Sequence, residues 1–156
     1  MRKLILLFCV AAIMVACGSS KIERQAQKAF KGDWTLTNIE LPSALVDINL
    51  FGDEDIKCFQ NSEWHFVSNN NKGSYELYSE NCSEGRRDFH WNVVEKSDTG
   101  EFYFTLKPEI EGTNAQKVKS GYRLKLSYLE GDQMTWEQVG SLDGDSFRIQ
   151  MHFSKN

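Results

Sequence analysis

From Gly32 onward the chain alternates apolar and polar residues with a period of two, the pattern of half-buried antiparallel strands. Trp34 and Leu36 set the apolar phase. Trp64 and Phe66 follow, then Tyr75 and Leu77, then Phe89, Trp91 and Val93, then Phe102, Phe104 and Leu106. Three further segments carry Tyr122, Leu124, Leu126 and Tyr128, then Met134 and Trp136, then Phe147, Ile149, Met151 and Phe153. The spacing predicts about eight strands, with no long amphipathic helix to serve as a parallel crossover. The expected fold class is therefore all-β, a single antiparallel up-and-down β-barrel, because closure leaves no unpaired edge. Asn, Asp and Gly at 69–73, 83–85, 98–100, 130–132 and 143–144 supply the turns between strands.

Two connections are longer. Residues 41–60 include Leu41, Leu45, Val46, Ile48, Leu50 and Phe51, too apolar for a solvated loop, and predict a flap folded over one barrel end. Residues 108–120, with Glu111-Gly112-Thr113-Asn114, read as solvated. In the hairpin of the second and third strands, placing Phe66 opposite Tyr75 makes the indices of facing residues sum to 141, and those of Cys58 and Cys82 sum to 140. The two cysteines are thus expected side by side as a disulfide, which suits an exported chain.

Export is read from the first residues. Arg2 and Lys3 precede an apolar run from Leu4 to Val15, shorter than the roughly 20 residues that span a bilayer. Met14-Val15-Ala16-Cys17, followed by Gly18, resembles a bacterial lipobox. That resemblance implies a lipoprotein signal peptide over 1–16 and lipidation of Cys17, palmitate among the acyl groups. It also implies a tether over 17–31 and a folded domain over 32–156. Several acyl chains exceed the two signals that stable anchoring needs. Gly18 rather than Asp after the cysteine points to the outer membrane, and the lack of an acidic run there to its periplasm-facing side. The alternative is an ordinary cleaved signal with Cys17 near the cut. Ala26, Ala29 and Phe30 have helical spacing, so the end of the tether is expected to dock as a short helix.

Gly32-Asp33-Trp34 matches the Gly-x-Trp that opens lipocalin domains, and the long first connection follows it as in that family. The chain therefore resembles the lipocalin-like bacterial lipoproteins. This implies a lipocalin-like barrel whose bottom is closed by Gly32 and Trp34, and a cysteine pair, Cys58 and Cys82, around the second hairpin. The arginine that packs on the family's tryptophan has no clear counterpart in the sequence.

Composition narrows the function. Removing Arg2 and Lys3 from 18 basic residues leaves 16 against 22 acids, a charge of about −6, which argues against nucleic-acid binding. No nucleophile with its base, buried carboxylate pair or phosphate loop is legible, so no enzymatic activity and no cofactor are expected. Nor is there metal-ligand spacing; His65, His90 and His152 fall on the outward phase of strands that do not adjoin. Asp53-Glu54-Asp55 reads as the cap of a short helical turn leading to Cys58, and Glu40, Glu95 and Gln138 as inward residues near strand ends.

The inward aromatic set leaves two readings. Trp64, Phe66, Tyr75, Trp91, Phe104, Tyr122, Tyr128 and Trp136 line a calyx for a small hydrophobic molecule or lipid. Otherwise they fill the barrel, and its outer face docks an envelope protein as an interaction or inhibitor module. A monomer is expected in both. An apolar stripe of Ile39, Val67, Tyr78, Val94 and Val139 would favour the second.

Overall fold

The computed structural model describes residues 19–42, 48–96, 98–109, 121–142 and 144–156. The alternating segments pair with their neighbours in sequence, as short polar turns require. Helix α1 (Ser19–Phe30) precedes β1 (Gly32–Glu40). A small hairpin of β2 (Asn49–Leu50) and β3 (Glu54–Asp55) follows, then a 3₁₀ turn (Ile56–Phe59). After these come β4 (Glu63–Val67), β5 (Lys72–Leu77), β6 (Gly85–Lys96), β7 (Glu101–Pro108), β8 (Tyr122–Glu130), β9 (Gln133–Leu142) and β10 (Asp145–Lys155). Eight strands close one antiparallel barrel in the order β1-β10-β9-β8-β7-β6-β5-β4. The all-β, up-and-down barrel expected from the pattern is the fold observed.

Register departs from expectation in the β4–β5 hairpin. Trp64 faces Tyr75 and Phe66 faces Gly73, a shift of two residues that leaves every side chain on its expected side. The turn explains part of the shift: Asn71 adopts φ 56°, and the Asn70 side chain accepts from Lys72 N at 3.1 Å. Gly73 explains the rest, since a Cβ there would lie 2.5 Å from the Phe89 ring, which occupies that space. The cysteines still pair, with 5.8 Å between their Cα atoms, because both lie beyond the hairpin. Cys58 sits on the 3₁₀ turn before β4, and Cys82 in the loop after β5.

Two irregularities reverse the phase of a strand end. Register shifts in β1 between Leu36 and Asn38, so Ile39 packs on the core and Glu40 faces solvent. This corrects the expected inward Glu40 and outward Ile39. In β8 the shift falls between Leu126 and Tyr128, turning Leu129 towards the core and leaving Tyr128 47% exposed. Tyr128 is therefore not a lining residue. An extra residue on one strand changes which parity faces inward, and alternation alone does not mark where it is inserted.

Both barrel ends are covered. Where β1 starts, α1 packs against the barrel, with Gln27 Nε2 donating to Asn92 Oδ1 at 2.8 Å and Lys155 Nζ to the Ala29 carbonyl at 3.4 Å. The short helix expected around Ala26, Ala29 and Phe30 is a 12-residue helix, and Phe30 at its close is fully buried in the core. At the other end the flap brings in Leu50, Phe51, Ile56 and Phe59, all buried. Asn61 N donates to the Leu36 carbonyl at 2.8 Å and Gln60 Nε2 to that of Thr37 at 2.6 Å, fixing the flap to β1. Asp55 caps the 3₁₀ turn as expected, accepting from Lys57 N at 2.9 Å. Residues 1–18 with Cys17, residues 43–47 of the flap, and 110–120 of the second long connection lie outside the described residues. Among the described residues no helix is long and apolar enough to cross a membrane.

Candidate functional site: the lumen and a groove on the outer wall

Alternation sends one aromatic set inward, and closure brings its members from six strands into a single stack. Trp64, Phe66, Tyr75, Trp91, Phe104 and Trp136 are all buried, and Tyr122 is partly buried at the flap end. Phe104 stacks on Trp136 at 4.4 Å between centroids, Trp64 on Tyr75 at 4.6 Å, and Phe153 tilts on Trp136 at 4.3 Å. Phe30 enters this stack from α1, nearly parallel to Phe104 at 5.4 Å and inclined by 28° to Trp91 at 5.4 Å. From the flap, Phe51 meets Tyr122 at 5.4 Å and Trp64 at 5.9 Å. Periodicity could not reveal Phe30 and Phe51 as lumen residues, because neither belongs to an alternating strand.

The indole nitrogens show how the stack is anchored. Trp34 Nε1 donates to the Phe30 carbonyl at 2.7 Å, which ties β1 to the end of α1. Lys155 Nζ stands 5.2 Å from the centre of the Trp34 ring, a cation over an aromatic face at the barrel's closed end. Gly32, the other residue expected there, begins β1 with φ 118°, a backbone shape open to glycine. Trp64 Nε1 donates to Ser62 Oγ and Trp91 Nε1 to the Lys72 carbonyl, each at 2.8 Å. Trp136 Nε1 and Gln138 Oε1, both inward from β9, are buried without a hydrogen-bond partner.

At the flap end one carboxylate gathers two donors. Asp53 Oδ2 accepts from Tyr75 OH at 2.9 Å and from Arg87 Nε at 2.9 Å. Arg87 also donates to the carbonyls of Gly85 and Ser83, at 2.7 and 2.6 Å. Burial, and then the Asp53 charge, push the Tyr75 phenol well above its ordinary range. Together with the disulfide, this network clamps the flap to β5 and β6.

The outer wall carries a second arrangement. Register places Asp33, His65 and Ser74 in one row across β1, β4 and β5. Asp33 Oδ1 meets His65 Nδ1 at 2.5 Å, and His65 makes no hydrogen bond to Ser74. One step along the strands, Glu63 faces Glu76 directly. A groove of about 510 Å³ runs over these residues and is also lined by Arg86 and Asn156. Tyr78 OH lies 2.7 Å from Glu76 Oε2 and 3.1 Å from Glu63 Oε2, and the bond to Glu76 raises the phenol's pKa. Sequence reading missed this groove, since its residues occupy the outward phase of separate strands and only register makes them neighbours.

The other exposed apolar residues do not form the stripe that would favour docking on the outer face. Val94 and Val139 stand on β6 and β9, Tyr78 follows β5, and Val67 is half-buried at the end of β4. Among the described residues no group of three or more His, Cys, Asp or Glu side chains is arranged to hold a metal ion. No protein-family model matches the chain, and no curated protein matches it.

Proposed function

We propose that the protein is a lipocalin-like lipoprotein of the bacterial envelope whose filled barrel serves as a protein-interaction or inhibitor module. It is monomeric, tethered through acylated Cys17 to the outer membrane on its periplasm-facing side. The observation that carries this reading is the occupation of the lumen by the protein's own rings from both ends, Phe30 from α1 and Phe51 from the flap. A calyx that admits a ligand needs at least one of those ends free. Lys155 over Trp34 supports the lipocalin-like kinship, since it supplies the cation that the family places on its tryptophan.

The small-molecule reading keeps two observations in its favour. Trp136 Nε1 and Gln138 Oε1 offer an unused donor and acceptor inside the barrel. An open, mainly apolar groove of about 340 Å³ also lies between α1 and the β7–β8 wall, lined by Ala26, Ala29, Phe102, Leu126, Tyr128 and Leu129.

Native mass spectrometry of the full chain, purified without denaturation, separates the two readings. The filled-barrel reading expects the bare protein mass and no quenching of the buried tryptophans by fatty acids or aromatic probes. A stoichiometric extra mass that organic extraction removes, with quenching, would overturn it in favour of the calyx.

A further inference from the structure

The Glu63–Glu76 pair stands out energetically. Like charges directly opposite on neighbouring strands repel, and such a pair is unfavourable for the free protein. Among the described residues, neither carboxylate has a lysine, arginine or histidine within ion-pair distance. The nearest arginine by register is Arg86, directly across from Glu76, and its Nε is turned to Asp88 Oδ1 at 2.9 Å instead. Tyr78 holds one hydroxyl proton between the two carboxylates, enough for one of them.

A separate observation points to something that enters the groove. Ser74 projects outward beside the pair yet is only 4% exposed, and its hydroxyl lines the groove with no hydrogen-bond partner among the described residues. It opens into a recess whose wall carries both carboxylates.

We infer that this groove receives an arginine side chain of a protein partner, its guanidinium spanning Glu63 and Glu76 while Ser74 Oγ accepts one of its N–H groups. A planar fork of five donors matches two facing carboxylates better than the point charge of lysine does. A recess of about 510 Å³ accommodates a whole side chain rather than a bare ion. The inference rests on the interaction-module reading and gives that reading its partner chemistry.

The test is an amide-resolved NMR titration of the full chain with the capped tripeptide acetyl-Gly-Arg-Gly-amide, using the neutral isostere acetyl-Gly-citrulline-Gly-amide as control. The arginine peptide is expected to shift the amides of Glu63, Ser74 and Glu76, and the citrulline peptide to leave them unmoved. Glu63→Gln/Glu76→Gln weakens binding at least about tenfold, the loss of one charge-assisted hydrogen bond or more. Glu80→Gln/Glu84→Gln, which removes the same charge elsewhere, leaves it unchanged. Ser74→Ala weakens binding without lowering the melting temperature, and the Glu63/Glu76 variant melts no lower than the native protein. Shifts spread over all acids, equal weakening by the Glu80/Glu84 control, or a melting loss in the Glu63/Glu76 variant would each overturn the proposal. Lumen occupancy is read independently by mass: extra lumen mass with arginine binding intact defeats the filled barrel alone, and a bare barrel without arginine-specific shifts defeats the groove alone.

Discussion

Phe30→Ala tests whether α1 is part of the barrel or only its leash. The ring is fully buried and lies within 5.4–6.5 Å of Phe66, Trp91, Phe104 and Trp136, so its removal takes contacts from four neighbours at once. Truncating a core phenylalanine costs about 3–5 kcal/mol, the lost transfer energy plus about 24 cal/mol for each Å³ of void that fails to collapse. Collapse is restricted here because the surrounding rings are held by strands paired on both sides. Alanine is the better helix former by roughly 0.5 kcal/mol, so a net loss cannot come from the helix itself. For a chain of this size the loss corresponds to a melting temperature lower by roughly 10–20 °C. Urea unfolding followed by tryptophan fluorescence measures the free energy, and calorimetry the temperature. The void is apolar, so benzene should bind it and raise the melting temperature of the variant but not of the native protein. A stability loss under about 1 kcal/mol, against the core-truncation range, would refute the claim that α1 plugs the lumen.

Cys58→Ala/Cys82→Ala opens a loop with a sequence separation of 24 and is expected to cost about 3–4 kcal/mol in urea unfolding, most of it through the unfolded chain. Gly73→Ala places a methyl 2.5 Å from the Phe89 ring and 2.8 Å from the His65 carbonyl, and should lower stability by about 1–3 kcal/mol. Gly140→Ala first meets the half-buried Phe147 ring near a strand end, which can swing aside, so calorimetry should show the smaller loss there. Arg87→Ala leaves Asp53 and Tyr75 without their third partner, and hydrogen exchange should show faster opening of residues 48–61 than of β7–β9. Because the folded pKa of Tyr75 is raised, its contribution is intact below the usual tyrosine range near 10 and is lost as pH rises above it. An alkaline unfolding series should therefore show stability falling more steeply above about pH 10 in the native protein than in Tyr75→Phe.

The strand segments, their inward aromatics and the apolar flap were legible in the sequence. A period of two fixes which side chains share a face whatever strand pairs with which. The disulfide was legible in outcome but not in geometry, since the pairing arithmetic assumed a hairpin register that Gly73 and the Asn-rich turn displace by two. What alternation cannot carry is a change of parity. The bulges in β1 and β8 turned Glu40 and Tyr128 outward and Ile39 and Leu129 inward, because one inserted residue reverses the faces of all that follow.

The sequence by itself thus determined a closed all-β barrel with an aromatic interior, because local alternation and turn chemistry leave few other ways to bury those rings. Only the tertiary structure decided that Phe30 and Phe51 occupy the lumen and that Asp53, Tyr75 and Arg87 clamp the flap. Only register set Glu63, Glu76 and Ser74 around one groove. These are meetings between residues far apart in the chain, and register and end-capping, which bring them together, are settled by packing rather than by any local pattern.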